Sequence, residues 1–135
     1  MTSGSSPMEE REQVVLIVED DAATRRLYKF LLINGGYTVH EAEDGVAALE
    51  YLAQQPADMV ITDMNMPRMD GMELIRNIRR DYSDVYVILI TAFGTPDVHR
   101  QAMRNGANDY LSKPFDYEEL ERRVRAYFSN RSASV

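Results

Sequence analysis

Short apolar runs rich in β-branched residues alternate along this chain with segments of helical periodicity. The first run, VVLIV at 14–18, is continuously apolar, which is typical of a strand that is covered on both faces. Each of five such runs is followed by a stretch whose apolar residues recur at helical spacing. Strands and helices in strict alternation predict a parallel sheet with helices on both faces. The fold class is therefore α/β, as a single doubly wound, five-stranded sheet with five helices.

Glycines, prolines and apolar spacing set the expected bounds of these elements. The other four strands are predicted at 37–41, 58–62, 85–90 and 109–112. Four helices are predicted at 22–33, 72–80, 97–104 and 117–128, and one more begins near Val46 and ends before Pro56. With 135 residues the chain has the length of one domain. We expect a single domain at 12–129, with flexible polar tails at 1–11 and 130–135.

Charge and composition exclude several classes of function. The chain carries 22 acidic and 15 basic residues, a formal charge of −7, so counterion release gives it no general affinity for nucleic acids. It has no cysteine, which excludes disulfides and thiolate metal sites. It also has no apolar run near the roughly 18 residues that a membrane helix needs. We expect a cytoplasmic protein that binds neither nucleic acid nor membrane directly.

Polar residues collect directly after the strands, where ligands bind in open α/β sheets. Glu19, Asp20 and Asp63 would bring three carboxylates to one sheet edge, and like charges that close require a counter-charge. Neither histidine lies at the strand ends, so the ligands are oxygens, which suit Mg²⁺. The backbone carbonyl of Asn65 could complete the metal shell. Asp21 is interpreted instead as the cap of the first helix.

Two further groups at this edge indicate what the site would bind. Thr91 ends the fourth strand with a hydroxyl, and Lys113 follows the fifth strand, next to Pro114. A hydroxyl, an ammonium and Mg²⁺ around one carboxylate form a set of donors and cations without a matching anion. A phosphoryl group on Asp63 would supply that anion, and aspartate is a known covalent acceptor.

Four stretches carry a resemblance to the receiver domains of response regulators. They are VVLIVEDD at 14–21, DMNMPRMDG at 63–71, ITA at 90–92 and YLSKPF at 110–115. The resemblance covers 14–128 and implies the flavodoxin-like strand order 2-1-3-4-5. It implies these site residues: Asp63 as phosphoacceptor, Glu19 and Asp20 as Mg²⁺ ligands, Thr91, the Ala92 backbone amide and Lys113 as phosphoryl contacts, and Thr91 with Tyr110 as the switch pair. Glutamate at 19 in place of aspartate is a variation that the family tolerates.

The resemblance also implies a signalling role. A histidine kinase or a histidine phosphotransfer protein would donate the phosphoryl group, and the chain would catalyse only its own phosphorylation and dephosphorylation. Phosphorylation would then change the surface of the fourth helix, fifth strand and fifth helix, which contacts a downstream protein effector or an attached output domain. The chain would be a monomer or a phosphorylation-dependent homodimer.

Two positions in such domains influence how water reaches the phosphoryl group. They are the second residues after the acceptor and after the switch threonine, here Asn65 and Phe93. Phenylalanine offers water no hydrogen bond, so we expect phosphorylated Asp63 to hydrolyse slowly.

Other functions of this fold are disfavoured by particular residues. An aspartate-based phosphatase usually needs a second aspartate two residues after the nucleophile, where this chain has Asn65. A flavin-binding electron carrier needs a Ser/Thr/Gly-rich phosphate loop, where this chain has three acidic residues. A binding module that has lost phosphorylation would lack some of the groups that are present here. The remaining alternative is the receiver part of a larger regulator with an ATPase or DNA-binding output domain.

Overall fold

A parallel five-stranded sheet forms the centre of the computed structural model, which describes residues 12–92 and 94–133. The strands are β1 (Val14–Val18), β2 (Thr38–Ala42), β3 (Met59–Asp63), β4 (Tyr86–Thr91) and β5 (Asp109–Ser112). Their order across the sheet is β2-β1-β3-β4-β5, with every pair parallel. The expected fold class and strand order are confirmed. Three of the strands begin and end one residue later than the sequence pattern predicts.

Five helices connect and follow the strands within the described residues. They are α1 (Ala22–Asn34), α2 (Gly45–Gln54), α3 (Gly71–Asp81), α4 (Pro96–Asn105) and α5 (Tyr117–Ala133). Asp21 caps α1 as predicted, since its carboxylate accepts a hydrogen bond of 2.9 Å from the Thr24 backbone N–H. In the described part of the chain, no helix combines the length and the hydropathy needed to span a bilayer.

The last helix differs from the sequence prediction. It was expected to end at Phe128, but it continues to Ala133, so the first four residues of the predicted tail at 130–135 are helical. The Arg131 guanidinium lies 2.6 Å from the carboxylate of Asp58, the residue before β3, and this ion pair connects the added turn to the sheet. The predicted tail at 1–11 and the last two residues lie outside the described residues.

The apolar side chains of the central strands alternate between two cores. On one side of the sheet, Leu16, Val60 and Leu89 pack against α2, α3 and α4. On the other side, Ile17 and Ile61 pack against α1 and α5. Because both faces are covered, β1 and β3 read as continuous apolar runs rather than as alternating ones.

The parallel register brings the carboxyl ends of the strands to one edge. Val18, the last residue of β1, is the partner of Thr62, and Asp63 is the partner of Ile90. Thr91 in turn is the partner of Ser112 at the end of β5. The turns after β1, β3, β4 and β5 therefore open on the same side of the molecule.

Gly71, the first residue of α3, lies too close to the end of β3 to carry a side chain. A Cβ atom there would lie 2.6 Å from the Asp63 carbonyl oxygen and 2.9 Å from the Met64 Cα, which are both backbone atoms. We expect Gly71→Ala to lower the free energy of unfolding by about 2–3 kcal/mol, measured by urea denaturation. Gly35→Ala is the control, because its Cβ has no contact shorter than 3.3 Å. Equal stability of the two variants would contradict this prediction.

Candidate functional site

Three carboxylates meet at the carboxyl edge of the sheet. Glu19, Asp20 and Asp63 each offer an oxygen, and these three oxygens lie within 4.8 Å of one another. Glu19 and Asp63 are only 5% and 9% exposed, whereas Asp20 is exposed. The cluster therefore has one side open to solvent, from which a ligand can enter.

The Lys113 ammonium faces this cluster. Its Nζ lies 2.9 Å from Asp63 Oδ1 and 4.0 Å from Glu19 Oε1. Burial, the largest single effect, would lower the pKa of Lys113, but the hydrogen bond to Asp63 and the negative charges of Asp63 and Glu19 together outweigh it, and the pKa is raised. The backbone fixes the residue, because the Lys113 N–H donates to the Thr91 carbonyl at 2.8 Å.

One lysine does not neutralise three carboxylates. The pKa of Glu19 is raised to about 7, chiefly because the group is buried; the Asp21 backbone N–H acts in the opposite direction, and the negative charge of Asp63 adds to the rise. Near neutral pH, Glu19 therefore carries its charge only part of the time. A bound divalent cation would hold all three groups ionised.

The donor set fits a hard divalent cation. The described ligands are carboxylate oxygens, and the chain has no cysteine to compete with them. Asn65 lies in the turn that follows Asp63, where its N–H is 3.3 Å from Asp63 Oδ2. Mg²⁺ usually keeps several waters beside one or two carboxylates, which agrees with a site that is open on one side.

The loop between β3 and α3 is fixed by contacts that the sequence did not predict. The Arg68 guanidinium binds the buried Asp44 carboxylate at 2.6 Å, and Asp44 also caps α2 through the Ala47 N–H. Arg68 has a φ of 70°, a conformation that costs a non-glycine residue roughly 1 kcal/mol and persists only where contacts hold it. The Ala47 N–H first, and Arg68 in addition, hold the pKa of Asp44 below its usual range. No local pattern in the sequence connects these residues.

The other predicted residues that the structure describes lie at the end of β4 and in β5. Thr91 is 1% exposed at the end of β4, and Ala92 follows it in an exposed turn. Tyr110 stacks on His99 of α4 with ring centroids 4.7 Å apart, and its hydroxyl is buried without a hydrogen-bond partner in the described residues. Phe93 lies outside the described residues.

Comparison with known proteins identifies the family. Residues 15–125 match the family model described as "Response regulator receiver domain". The chain therefore belongs to the receiver domains of two-component response regulators, which are signalling proteins rather than typical enzymes. The resemblance inferred from the four sequence stretches is confirmed.

Individual relatives agree with this family. The chain is 41% identical over 112 residues to the response regulator MprA of Mycobacterium ulcerans, covering 83% of this chain and 48% of that protein. It is 42% identical over 117 residues to a probable transcriptional regulator, ycf27, of Guillardia theta, covering 87% and 46%. Among solved structures, the receiver domain of the Francisella response regulator 1452 superposes with a TM-score of 0.84 at 28% identity, covering 89% and 99%. The chain thus spans about half the length of these curated relatives.

Proposed function

We propose that this chain is a phosphorylation switch that accepts a phosphoryl group on Asp63. The donor would be the phosphohistidine of a histidine kinase or of a histidine phosphotransfer protein, the partners that membership of this family implies. Glu19, Asp20, Asp63 and the backbone carbonyl of Asn65 would hold Mg²⁺. The contact between Lys113 Nζ and Asp63 Oδ1, inside an acidic cluster, is the observation that carries the proposal.

The residues supply the transfer step without a separate base. An Asp63 carboxylate oxygen attacks the phosphorus, the bond from phosphorus to the donor's imidazole nitrogen breaks, and the imidazole leaves with the electron pair. Lys113, the Thr91 hydroxyl and the Ala92 backbone amide would bind the phosphoryl oxygens. Mg²⁺, when bound, supplies positive charge that balances the carboxylates and the phosphoryl group.

Mass spectrometry tests the chemistry directly. The protein is incubated with acetyl phosphate and Mg²⁺, with and without EDTA, and is then weighed intact. We expect a mass increase of one phosphoryl group that disappears with EDTA. An unmodified protein in the presence of Mg²⁺ would overturn the proposal.

A groove beside the site is where we propose that the protein donor docks. It has a volume of about 510 Å³, apolar side chains such as Leu27, Leu31 and Phe115 line it, and Lys113 and Ala92 connect it to the acidic cluster. Leu27 is 53% exposed, so it is available to a partner and contributes little to the core.

Leu27→Asp should therefore separate protein donors from small ones. We expect transfer from a phosphorylated histidine phosphotransfer domain active on the parent to slow about tenfold or more, because a central apolar contact is lost. Labelling by acetyl phosphate should stay unchanged. Met103→Asp, which changes another exposed apolar residue on α4, is the control. Equal slowing with both donors would argue against docking in the groove.

After phosphorylation, the α4–β5–α5 surface would change through Thr91 and Tyr110. The buried hydroxyl of Tyr110 supports this proposal, because it has no hydrogen-bond partner among the described residues, so no such bond has to break there when the side chain changes rotamer. The phosphorylated surface would contact a downstream effector, an attached output domain or a second copy of the chain.

Phe93 should lengthen the phosphorylated state. Because phenylalanine cannot orient a water molecule, phosphorylated Asp63 should decay more slowly in the parent than in Phe93→Glu. Decay is followed by mass spectrometry after the donor has been removed. Asp97→Glu, an exposed conservative change in α4, serves as the control. Equal or faster decay of the parent would refute this expectation.

A second proposal concerns the natural context of the chain. Its relatives are about twice as long, and one is described as a transcriptional regulator. We propose that this receiver operates with an attached output domain in a longer regulator. Detection in native cells, with an antibody against this chain, should reveal a product larger than 15.5 kDa. A product of this size alone would contradict the proposal.

A further inference from the structure

Arg25 of α1 connects the acidic loop to the neighbouring strand. Its Nη1 donates a hydrogen bond of 2.7 Å to the Glu19 backbone carbonyl, and its Nε donates one of 2.9 Å to the Glu41 carboxylate on β2. The side chain is only 14% exposed, so both bonds are shielded from water. One planar guanidinium thus bonds both to the backbone of Glu19, the first of the proposed metal ligands, and to the Glu41 side chain on the sheet.

The Arg25 bond completes the fixation of Glu19. The Glu19 N–H donates to the Ala42 carbonyl at 3.1 Å, and its carboxylate accepts from the Asp21 N–H at 3.0 Å. The carbonyl that Arg25 binds belongs to the peptide unit joining Glu19 to Asp20. The guanidinium therefore restrains the backbone between two carboxylates that must converge on one ion.

Glu41 holds Arg25 in the orientation that this bond requires. One of its oxygens accepts from Arg25 Nε, and the other accepts from Lys29 Nζ at 3.1 Å. Lys29 is 37% exposed, and within the described residues it pairs with Glu41 rather than with the acidic loop. Two cations, Arg25 and Lys29, thus pair with the Glu41 carboxylate. Arg25 also bonds to the loop that carries Glu19 and Asp20.

We propose that Arg25 is a positioning residue for the metal site, which strengthens Mg²⁺ binding by fixing the peptide between Glu19 and Asp20. The inference rests on the proposed function, because it requires that these carboxylates bind Mg²⁺. The expected effect of Arg25 on Mg²⁺ affinity is thus opposite to the effect of its charge. A nearby positive charge by itself repels Mg²⁺, whereas a restrained ligand loop binds it more tightly.

The sign of the change in affinity separates positioning from charge. We expect Arg25→Ala to weaken Mg²⁺ binding about tenfold, the range for lost partners of metal ligands. Arg25→Lys keeps the charge but not the planar fork, so it should also weaken binding. Lys29→Ala removes a charge on the same carboxylate without touching the loop, so its affinity should equal the parent's or slightly exceed it.

Mg²⁺ affinity is measured by titration of backbone amide NMR signals on the full chain. Urea denaturation without Mg²⁺ confirms that each variant is folded. If Arg25→Ala does not fold, Arg25→Lys alone provides the test. Equal or tighter Mg²⁺ binding in the folded Arg25 variants would overturn the inference.

Kinetics provide an independent readout. With acetyl phosphate as donor, Arg25→Lys should be slow at low Mg²⁺ and approach the parental rate at saturating Mg²⁺, since only ligand positioning is impaired. A rate that stays low at saturation would contradict positioning of the metal site. If the parent binds Mg²⁺ and is labelled, but the Arg25 variants bind Mg²⁺ as tightly as the parent, only this inference fails. If the parent is never labelled, the proposed function fails first.

Discussion

Asp63→Asn is expected to abolish the incorporation of a phosphoryl group from acetyl phosphate. An amide is not a nucleophile at neutral pH, and it does not carry the charge that holds the Lys113 ammonium 2.9 Å away. Intact-mass spectrometry after incubation with Mg²⁺ should show the label in the parent and none in the variant. The expected effect is complete loss rather than slowing, because no other group in the proposed mechanism accepts the phosphoryl group.

The matched control for this experiment is Asp21→Asn. Asp21 lies on the neighbouring loop, but it is exposed and caps α1, a role that asparagine also fills. Labelling should therefore remain at the parental level. A label that survives in Asp63→Asn would place the acceptor elsewhere and contradict the central proposal, with exposed Asp20 as the first residue to examine.

Lys113→Met should slow phosphoryl transfer by about 100- to 1,000-fold, the usual cost of removing one donor aimed at developing charge. Methionine preserves the apolar stem but removes the ammonium between Asp63 and Glu19. The same change should tighten Mg²⁺ binding, because three carboxylates then face the ion without a competing cation. Rates are measured with acetyl phosphate at saturating Mg²⁺, and affinity by NMR titration.

Opposite changes in rate and affinity make this prediction specific. A misfolded site would lose both, whereas loss of a catalytic cation lowers only the rate. Lys29→Met is the control, since Lys29 pairs with Glu41 at the side of the site. An unchanged rate in Lys113→Met would remove Lys113 from the proposed mechanism.

The sequence predicted the architecture because the apolar runs of the strands and the helical spacing between them both indicate the same fold. Continuous apolar strands such as Val14–Val18 require cover on both faces, and the helices between them supply it. Parallel strands joined by helices then bring their carboxyl ends to one edge. Glu19, Asp63 and Lys113 could thus be placed together although they lie far apart in the chain.

Contacts between elements were the part that the pattern did not predict. The length of α5 depends on Arg131 meeting Asp58, 73 residues away in the chain. The Arg68 bond to Asp44 and the Arg25 bonds to Glu19 and Glu41 are of the same kind. Long polar side chains reach several partners from one position, and periodicity indicates only which face they occupy.

The sequence by itself determined the α/β class, the five strands to within one residue, and the acidic residues at the carboxyl ends of β1 and β3. Only the tertiary structure decided that three carboxylate oxygens converge within 4.8 Å, and that Lys113 faces Asp63. It also decided that Arg25 holds the peptide between Glu19 and Asp20. The physical reason is one of range: periodicity follows from neighbours along the chain, whereas the position of a charge depends on side-chain atoms that only the packed fold brings together.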